Sequence, residues 1–129
     1  MAREDRRARD SSATRLVTAP LAAFRRTAAL DSVSFSCVGQ DLGNPKDGFT
    51  HAYVVGIADL AALDRYLSDP IHRAGDFVIV PHLARLARTA LSDDLDPALG
   101  AKVGVLWTRR VAADKEWLGL FDRIAQLSL

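Results

Sequence analysis

Two neighbouring segments of the chain alternate in side-chain character with a period of two. In the first, Val33, Phe35 and Cys37 alternate with two serines and a valine, which predicts a strand that ends at Gly39. The second segment, residues 49–57, is the strongest strand candidate. Its two faces carry Phe49, His51, Tyr53 and Val55 on one side and Thr50, Ala52, Val54 and Gly56 on the other. We expect the two faces to meet different environments.

Turn-forming and capping residues divide the next part of the chain. Residues 41–48 read Asp-Leu-Gly-Asn-Pro-Lys-Asp-Gly, and each of these turn formers favours a reversal of the backbone, so a loop is predicted. Asp59 can cap a helix over residues 60–67, whose leucines form one stripe. This helix should end before Pro70.

The apolar run at residues 77–80 is compatible with a buried strand or a buried helix. Because Leu83 and Leu86 continue it at helical spacing, we expect a helix through this region. A short strand should follow around residues 88–91.

The C-terminal part of the chain is predicted to be helical. Asp96 followed by Pro97 is a common start of a helix, and it favours a helix carrying Leu99, Val103 and Leu106 over a strand. A last amphipathic helix should run from Asp114 to about Leu127, with its apolar stripe formed by Trp117, Leu120, Phe121 and Ile124.

The N-terminal segment allows two interpretations. Hydroxyl groups at residues 11, 12 and 14 can cap a helix that reaches about Ala29. Pro20 would interrupt that helix, so the alternative makes residues 14–18 a short strand and starts the helix at Pro20. Residues 1–26 contain seven arginines and three acidic residues, which indicates a basic and poorly ordered arm over residues 1–10.

Composition narrows the classes of protein. With 129 residues, 49% of them hydrophobic and 26% charged, the chain suits one globular domain. A net charge of +1 argues against nucleic acid as a partner, and the sequence has no apolar stretch long enough for a membrane span. The single cysteine, Cys37, cannot form an internal disulfide, so we expect a cytoplasmic location.

Three side chains carry the candidate chemistry: His51, Tyr66 and His72. On an unbroken helix Tyr66 and His72 would point in different directions, but a turn at Pro70 can direct both toward a pocket that His51 could join. The alternative is structural: a hydrogen-bonded pair at a helix end and a histidine satisfied in the core. The three histidines and Cys37 lack metal-ligand spacing, and the glycines do not precede a helix, so neither a metal nor a nucleotide cofactor is indicated.

Three motifs carry a resemblance to a known family: Gly39-Gln-Asp-Leu-Gly43, Gly48-Phe-Thr-His51, and Tyr66 followed by Pro70 and His72. In this order and spacing they resemble the stress-responsive dimeric α/β barrel family over roughly residues 11–91. The resemblance implies an α+β, ferredoxin-like sandwich, in which helices cover one face of the sheet and a second copy covers the other. It therefore implies a homodimer with an internal cavity, followed by a C-terminal helical extension over residues 93–129.

The resemblance also implies a function: a small-molecule-binding homodimer that needs no cofactor. Since one plant member of the family cyclises a polyketide by an aldol reaction, the alternative is a cofactor-independent, polyketide cyclase-like enzyme. Its catalytic residues would be His72, as base or acid, and Tyr66, as its hydrogen-bonding partner. Residues lining the ligand site would be His51, Tyr53 and Phe49.

The chain departs from the family pattern at its start. Members usually begin with an apolar strand in the middle of the sheet, but residues 1–9 contain four arginines, whose burial there would leave charges unpaired. We expect the first strand to be missing, or to be replaced by residues 14–18.

Overall fold

A computed structural model describes residues 19–128. The predictions for the basic arm, for the caps at residues 11–14 and for a strand at residues 14–18 lie outside these residues. A helix, α1, occupies residues 19–28 and ends one residue before the predicted position.

The two predicted strands are confirmed, and they form an antiparallel hairpin. Strand β1 (Phe35–Gln40) pairs with β2 (His51–Gly56), so that Phe35 lies opposite Gly56 and Gln40 opposite His51. The predicted loop joins them and contains a 3-10 turn at Pro45–Asp47, which ends at Gly48. Gly48 has φ of 79°, a left-handed conformation that glycine adopts without strain.

Two helices follow the hairpin and meet at a sharp turn. The predicted helix is confirmed as α2 (Leu60–Ser68), and the carboxylate of Asp59 caps it by accepting the Ala62 N–H. Asp69 ends this helix and caps the next, α3 (Pro70–Ile79), by accepting the Ile71 N–H. Pro70 suits the first position of α3 because no hydrogen-bond donor is needed there.

The prediction for residues 83–91 is wrong. The run at residues 77–80 is helical up to Ile79, and a 3-10 turn at Val80–His82 follows. Residues predicted to continue the helix instead form strand β3 (Arg85–Ala87), which ends before the predicted strand at residues 88–91 begins. The partner of β3 lies some forty residues further along the chain, so the local periodicity around Leu83 and Leu86 carried no sign of it.

The C-terminal extension contains two helices and one strand. Helix α4 (Leu99–Ala113) is confirmed, although Ala98 occupies the N-cap position and the Asp96 carboxylate accepts the Ala98 N–H. Helix α5 (Lys115–Phe121) ends well before Leu127, so the predicted length of the last helix is wrong. Strand β4 (Gln126–Ser128) instead pairs parallel with β3. The parallel direction is possible because α4 and α5 form the crossover.

The fold belongs to the predicted α+β class. The described residues form five helices and two separate two-stranded sheets; they do not form a four-stranded sheet or a closed barrel. Two buried clusters hold the elements together, one around Trp117, Leu120, Val80 and Ile124, the other around Tyr66, Leu67 and Leu106, and Trp107 packs against both. No helix in this part of the chain has the length and apolar character that crossing a membrane requires.

Candidate functional site

Tyr66 and His72 lie in contact, but the hydrogen bond that the sequence analysis expected between them is not formed: the Tyr66 hydroxyl pairs with Tyr53 instead. Tyr66 is in the last turn of α2 and His72 in the first turn of α3, with the turn at Asp69 and Pro70 between them. Their ring centroids are 4.5 Å apart and the ring planes are inclined by 50°. The break in the helix therefore brings together two side chains that a continuous helix would separate.

The phenol of Tyr66 is joined to a second phenol, that of Tyr53. The two hydroxyl oxygens are 2.6 Å apart and share a hydrogen bond, which links α2 to β2. Burial is the main reason that the pKa of each tyrosine lies above its usual value, and the hydrogen bond to Tyr53 raises the pKa of Tyr66 further. Both hydroxyls are therefore protonated at neutral pH.

The imidazole of His72 is buried beside a carboxylate. Its Nε2 lies 3.9 Å from Oδ2 of Asp76, one helical turn further along α3. The same carboxylate oxygen accepts a hydrogen bond of 2.7 Å from the indole Nε1 of Trp117. The Nδ1 of His72 is buried and has no hydrogen-bond partner among the described residues.

The electrostatics of this cluster favour a neutral imidazole. Burial lowers the pKa of His72, and the positive charge of Arg110 lowers it further, against the opposing effect of Asp76 and Asp69. Burial also raises the pKa of the Asp76 carboxyl. This increase is partly offset by His72, by the hydrogen bond from Trp117 and by Arg110. At neutral pH His72 can therefore accept a proton.

Arg110 ties the cluster to the C-terminal helices. Its Nε donates a hydrogen bond of 2.7 Å to the carbonyl of Leu67, and its guanidinium lies 4.5 Å from the ring centroid of Trp117. An Nη1 contact of 3.3 Å reaches the carboxylate of Asp114, which also accepts from Arg73 Nε at 2.5 Å. Helices α2, α3, α4 and α5 are thus connected through one partly buried group of polar side chains.

His51 and Phe49 do not join this cluster. His51 is exposed at the start of β2, and its Nδ1 lies 2.8 Å from the hydroxyl of Thr50. Phe49 packs under the guanidinium of Arg85, 4.9 Å from the ring centroid. Of the five predicted site residues, the structure brings together Tyr53, Tyr66 and His72, and it places the other two elsewhere.

Two residues of the cluster escaped the sequence reasoning, Asp76 and Trp117. In a helix, a histidine and an aspartate four residues later lie on the same face. The spacing of His72 and Asp76 was therefore a usable signal once α3 was recognised as a helix. No local pattern could indicate Trp117, because 41 positions separate it from Asp76.

Space for a ligand lies away from the cluster. Tyr66 and His72 are only 7% and 8% exposed. One open pocket of about 250 Å³ lies between α1 and β1 beside Arg25 and Ser36, and another of about 400 Å³ lies beside Phe49 and the β3–β4 sheet. Among residues 19–128 no group of three His, Cys, Asp or Glu side chains is placed to hold a metal ion.

No protein-family model matches the chain, and no curated protein or solved structure is similar enough to count as a match. The resemblance to the stress-responsive α/β barrel family therefore rests on the three short motifs.

Proposed function

We propose that the chain is a small-molecule-binding homodimer of the stress-responsive α/β barrel class. The observation that carries the proposal is the outer face of the β1–β2 hairpin. On the inner face, Tyr53 and Val55 contact the cluster around Tyr66 and Leu67. On the outer face, Phe35 and Val54 are 66% and 51% exposed, respectively.

The outer face is apolar on both strands. Residues that pair in register point to the same side of a sheet, so the outer face consists of Phe35 with Gly56, Cys37 with Val54, and Gly39 with Ala52. The ring of Phe35 lies across Gly56, where an added Cβ would collide with it. None of these six residues is charged, and none forms a polar side-chain contact with another residue of the part that the structure describes. A bare strip of this kind favours packing against a second apolar surface.

A second copy of the chain is the occupant that we propose. Two identical apolar strips can pack sheet on sheet about a two-fold axis, which makes the contact self-complementary. Two strands of six residues offer a face of roughly 200 Å², less than the roughly 800 Å² that each partner buries in a standard interface. We therefore expect an association that depends on protein concentration.

Sedimentation velocity tests the dimer directly. Between about 1 µM and about 500 µM, the mass of the wild-type protein should rise toward twice that of one chain. Val54→Asp places a charge on the outer face and should keep the protein monomeric. The matched control is Val105→Asp, because Val105 is 55% exposed but lies on α4; it should associate like wild type. A folded wild-type protein that stays a single chain throughout this range contradicts the proposal.

Cys37 supplies a second measurement without further engineering. It is the single cysteine of the chain and lies exposed on the outer face, opposite Val54. A bismaleimide with a span of about 10 Å, the usual separation of packed sheets, should link two wild-type chains. It should fail to link two Val54→Asp chains. Equal crosslinking of both proteins would mean that the link forms by random collision, and would count against the dimer.

The second candidate is a cofactor-independent, polyketide cyclase-like enzyme. The observation that favours it is the contact between Tyr66 and His72, together with a neutral imidazole whose Nδ1 has no hydrogen-bond partner among the described residues. Because both side chains are buried, a substrate can reach them only when the cluster opens. Such a nitrogen can remove a proton from the carbon between two carbonyl groups, and a protonated phenol can donate a hydrogen bond to the enolate that results. The enolate carbon would then add to a second carbonyl of the same substrate molecule and close a ring, and the alkoxide that results would take the proton back from the His72 imidazolium.

Deuterium incorporation into a β-ketothioester in D₂O tests the first step of this reaction. The wild-type protein should accelerate incorporation at the α-carbon above the rate in buffer, and His72→Ala should abolish the acceleration. His51→Ala is the matched control because His51 lies outside the cluster, and it should retain the full rate. A wild-type rate equal to that of buffer, or full activity of His72→Ala, eliminates the enzymatic reading.

A further inference from the structure

An open groove of about 400 Å³ lies between the β1–β2 loop and the β3–β4 sheet. This volume falls within the range of small-molecule sites, about 300 to 1,000 Å³. The residues that matter for its chemistry are Phe49, Arg85, Leu86, Gln126 and Leu127. The groove is separate from the Tyr66–His72 cluster and brings together residues from three distant parts of the chain.

The guanidinium of Arg85 is held in place by residues 47–49. Its Nη1 donates a hydrogen bond to the carbonyl of Asp47, and the ring of Phe49 lies beneath its Cζ, 4.9 Å from the ring centroid. Gly48 makes this approach possible, because a Cβ at that position would lie 2.9 Å from Nη1. Residues 47–49 therefore position the guanidinium of Arg85.

Arg85 keeps most of its hydrogen-bonding capacity. A guanidinium has five N–H donors, and the described residues accept one of them, at the Asp47 carbonyl. No carboxylate of residues 19–128 lies within 4.0 Å of it. A fixed cation with spare donors pairs most favourably with a planar anion such as a carboxylate.

The remaining walls of the groove are suited to the body of such a ligand. Leu86 and Leu127 lie opposite each other in the β3–β4 register, and Leu127 is 41% exposed. With the ring of Phe49 they supply apolar surface beside the cation, and Gln126 adds a neutral polar group. A molecule with one carboxylate and an apolar body can satisfy both parts of the groove.

We infer that this groove is a binding site for a small amphipathic monocarboxylate, with Arg85 as the carboxylate-binding residue. The inference rests on the proposed function in one respect, the binding of a small molecule, and it does not require dimerisation. It places the ligand at Phe49, one of the predicted lining residues, and away from His72.

Octanoate and octanamide are suitable probes because they differ in charge but hardly in shape. In an NMR titration of the ¹⁵N-labelled full chain, octanoate should shift the amide signals of residues 48–49, 85–88 and 126–128 in a saturable way. Octanamide should bind about fivefold more weakly, the ratio expected for one partly exposed ion pair. Saturable binding of octanoate elsewhere on the protein overturns the inference but leaves the proposed function intact. A titration in which octanoate shows no saturable binding also overturns the inference.

Variants identify the residue responsible. Arg85→Gln should abolish the preference for octanoate over octanamide, whereas Arg65→Gln, at an exposed position of α2, should preserve it. If Arg85→Gln fails to fold, Gln126→Glu provides the second test, because Gln126 is exposed and a new carboxylate there should weaken octanoate binding without affecting octanamide. If Arg85→Gln or Gln126→Glu folds and keeps the wild-type preference for octanoate over octanamide, the assignment of Arg85 is contradicted. The sedimentation experiment decides the dimer separately.

Discussion

Trp117 donates its indole hydrogen bond to the carboxylate of Asp76 across 41 positions of sequence, with 2.7 Å between Nε1 and Oδ2. Trp117 is 1% exposed and Asp76 lies beside the buried imidazole of His72. The hydrogen bond therefore connects α3 to α5. It gives the C-terminal extension a role in holding the Tyr66–His72 pair.

A double-mutant cycle should measure this connection. Trp117→Phe and Asp76→Ala each leave one partner of a partly buried hydrogen bond unsatisfied. Each should therefore lower the free energy of unfolding, and their coupling should be about 1 to 2 kcal/mol. Urea unfolding of the four proteins provides the measurement. Trp107→Phe is the control, because Trp107 stacks on Trp117 but does not bond to Asp76; combined with Asp76→Ala its effect should be additive. Additivity of the Trp117 and Asp76 effects would contradict the prediction.

Protein stability should fall as the solution becomes mildly acidic. Burial holds the pKa of His72 below its ordinary value of 6.5, so the unfolded chain binds a proton at His72 more readily than the folded chain does. The resulting stability is complete above about pH 6.5 and is lost as the pH falls through the pKa of the folded state. Burial raises the pKa of the Asp76 carboxyl above 3.8, so the folded chain binds a proton at Asp76 more readily than the unfolded chain does. At lower pH, Asp76 therefore adds to the free energy of unfolding, whereas His72 subtracts from it.

Urea unfolding at about pH 7 and about pH 5 isolates the contribution of His72. The loss of stability between these values should be smaller in His72→Gln than in the wild-type protein. His51→Gln should show the wild-type loss, because His51 is exposed and lies outside the cluster. If all three proteins lose the same amount, His72 does not titrate differently in the folded and unfolded states.

Local signals account for the parts of the fold and site that the sequence predicted. Asp59 caps the start of α2, and Pro70 restricts the backbone just beyond the end of this helix. The same proline explains why Tyr66 and His72 meet. The exposed outer face of β2 agrees with a strand whose two faces meet different environments.

Long-range pairing accounts for what the sequence did not predict. Strands β3 and β4 have three residues each, too few to show a period of two, and each requires the other as a partner. The helical spacing of Ile124 after Phe121 misled for the same reason. Backbone hydrogen bonding to β3 takes residues 126–128 out of the helix.

Arg110 should contribute more to stability than its neighbour on α4. Arg110→Ala removes a hydrogen bond to the Leu67 carbonyl, a contact with Asp114 and the packing on Trp117, so the free energy of unfolding should fall by about 2 to 3 kcal/mol. Arg109→Ala is the matched control, because Arg109 is exposed; it should change stability by less than about 0.5 kcal/mol. Equal effects of the two substitutions, measured by urea unfolding, would exclude the proposed role of Arg110.

The pairing of β4 with β3 should be separable from the β1–β2 hairpin. The Gln126 N–H donates to the Ala84 carbonyl, and the Arg88 N–H donates to the Ser128 carbonyl at 2.8 Å. Gln126→Pro removes the first bond and disfavours the extended pairing, so the Arg88 amide should lose protection from hydrogen exchange. The Ser34 amide, which donates to Gly56 in the other sheet, should keep its protection and serves as the internal control. The two sheets share no strand. Loss of protection at both amides would therefore mean that the two sheets unfold as one unit. Protection retained at Arg88 would show that the pairing of β4 does not depend on the Gln126 hydrogen bond.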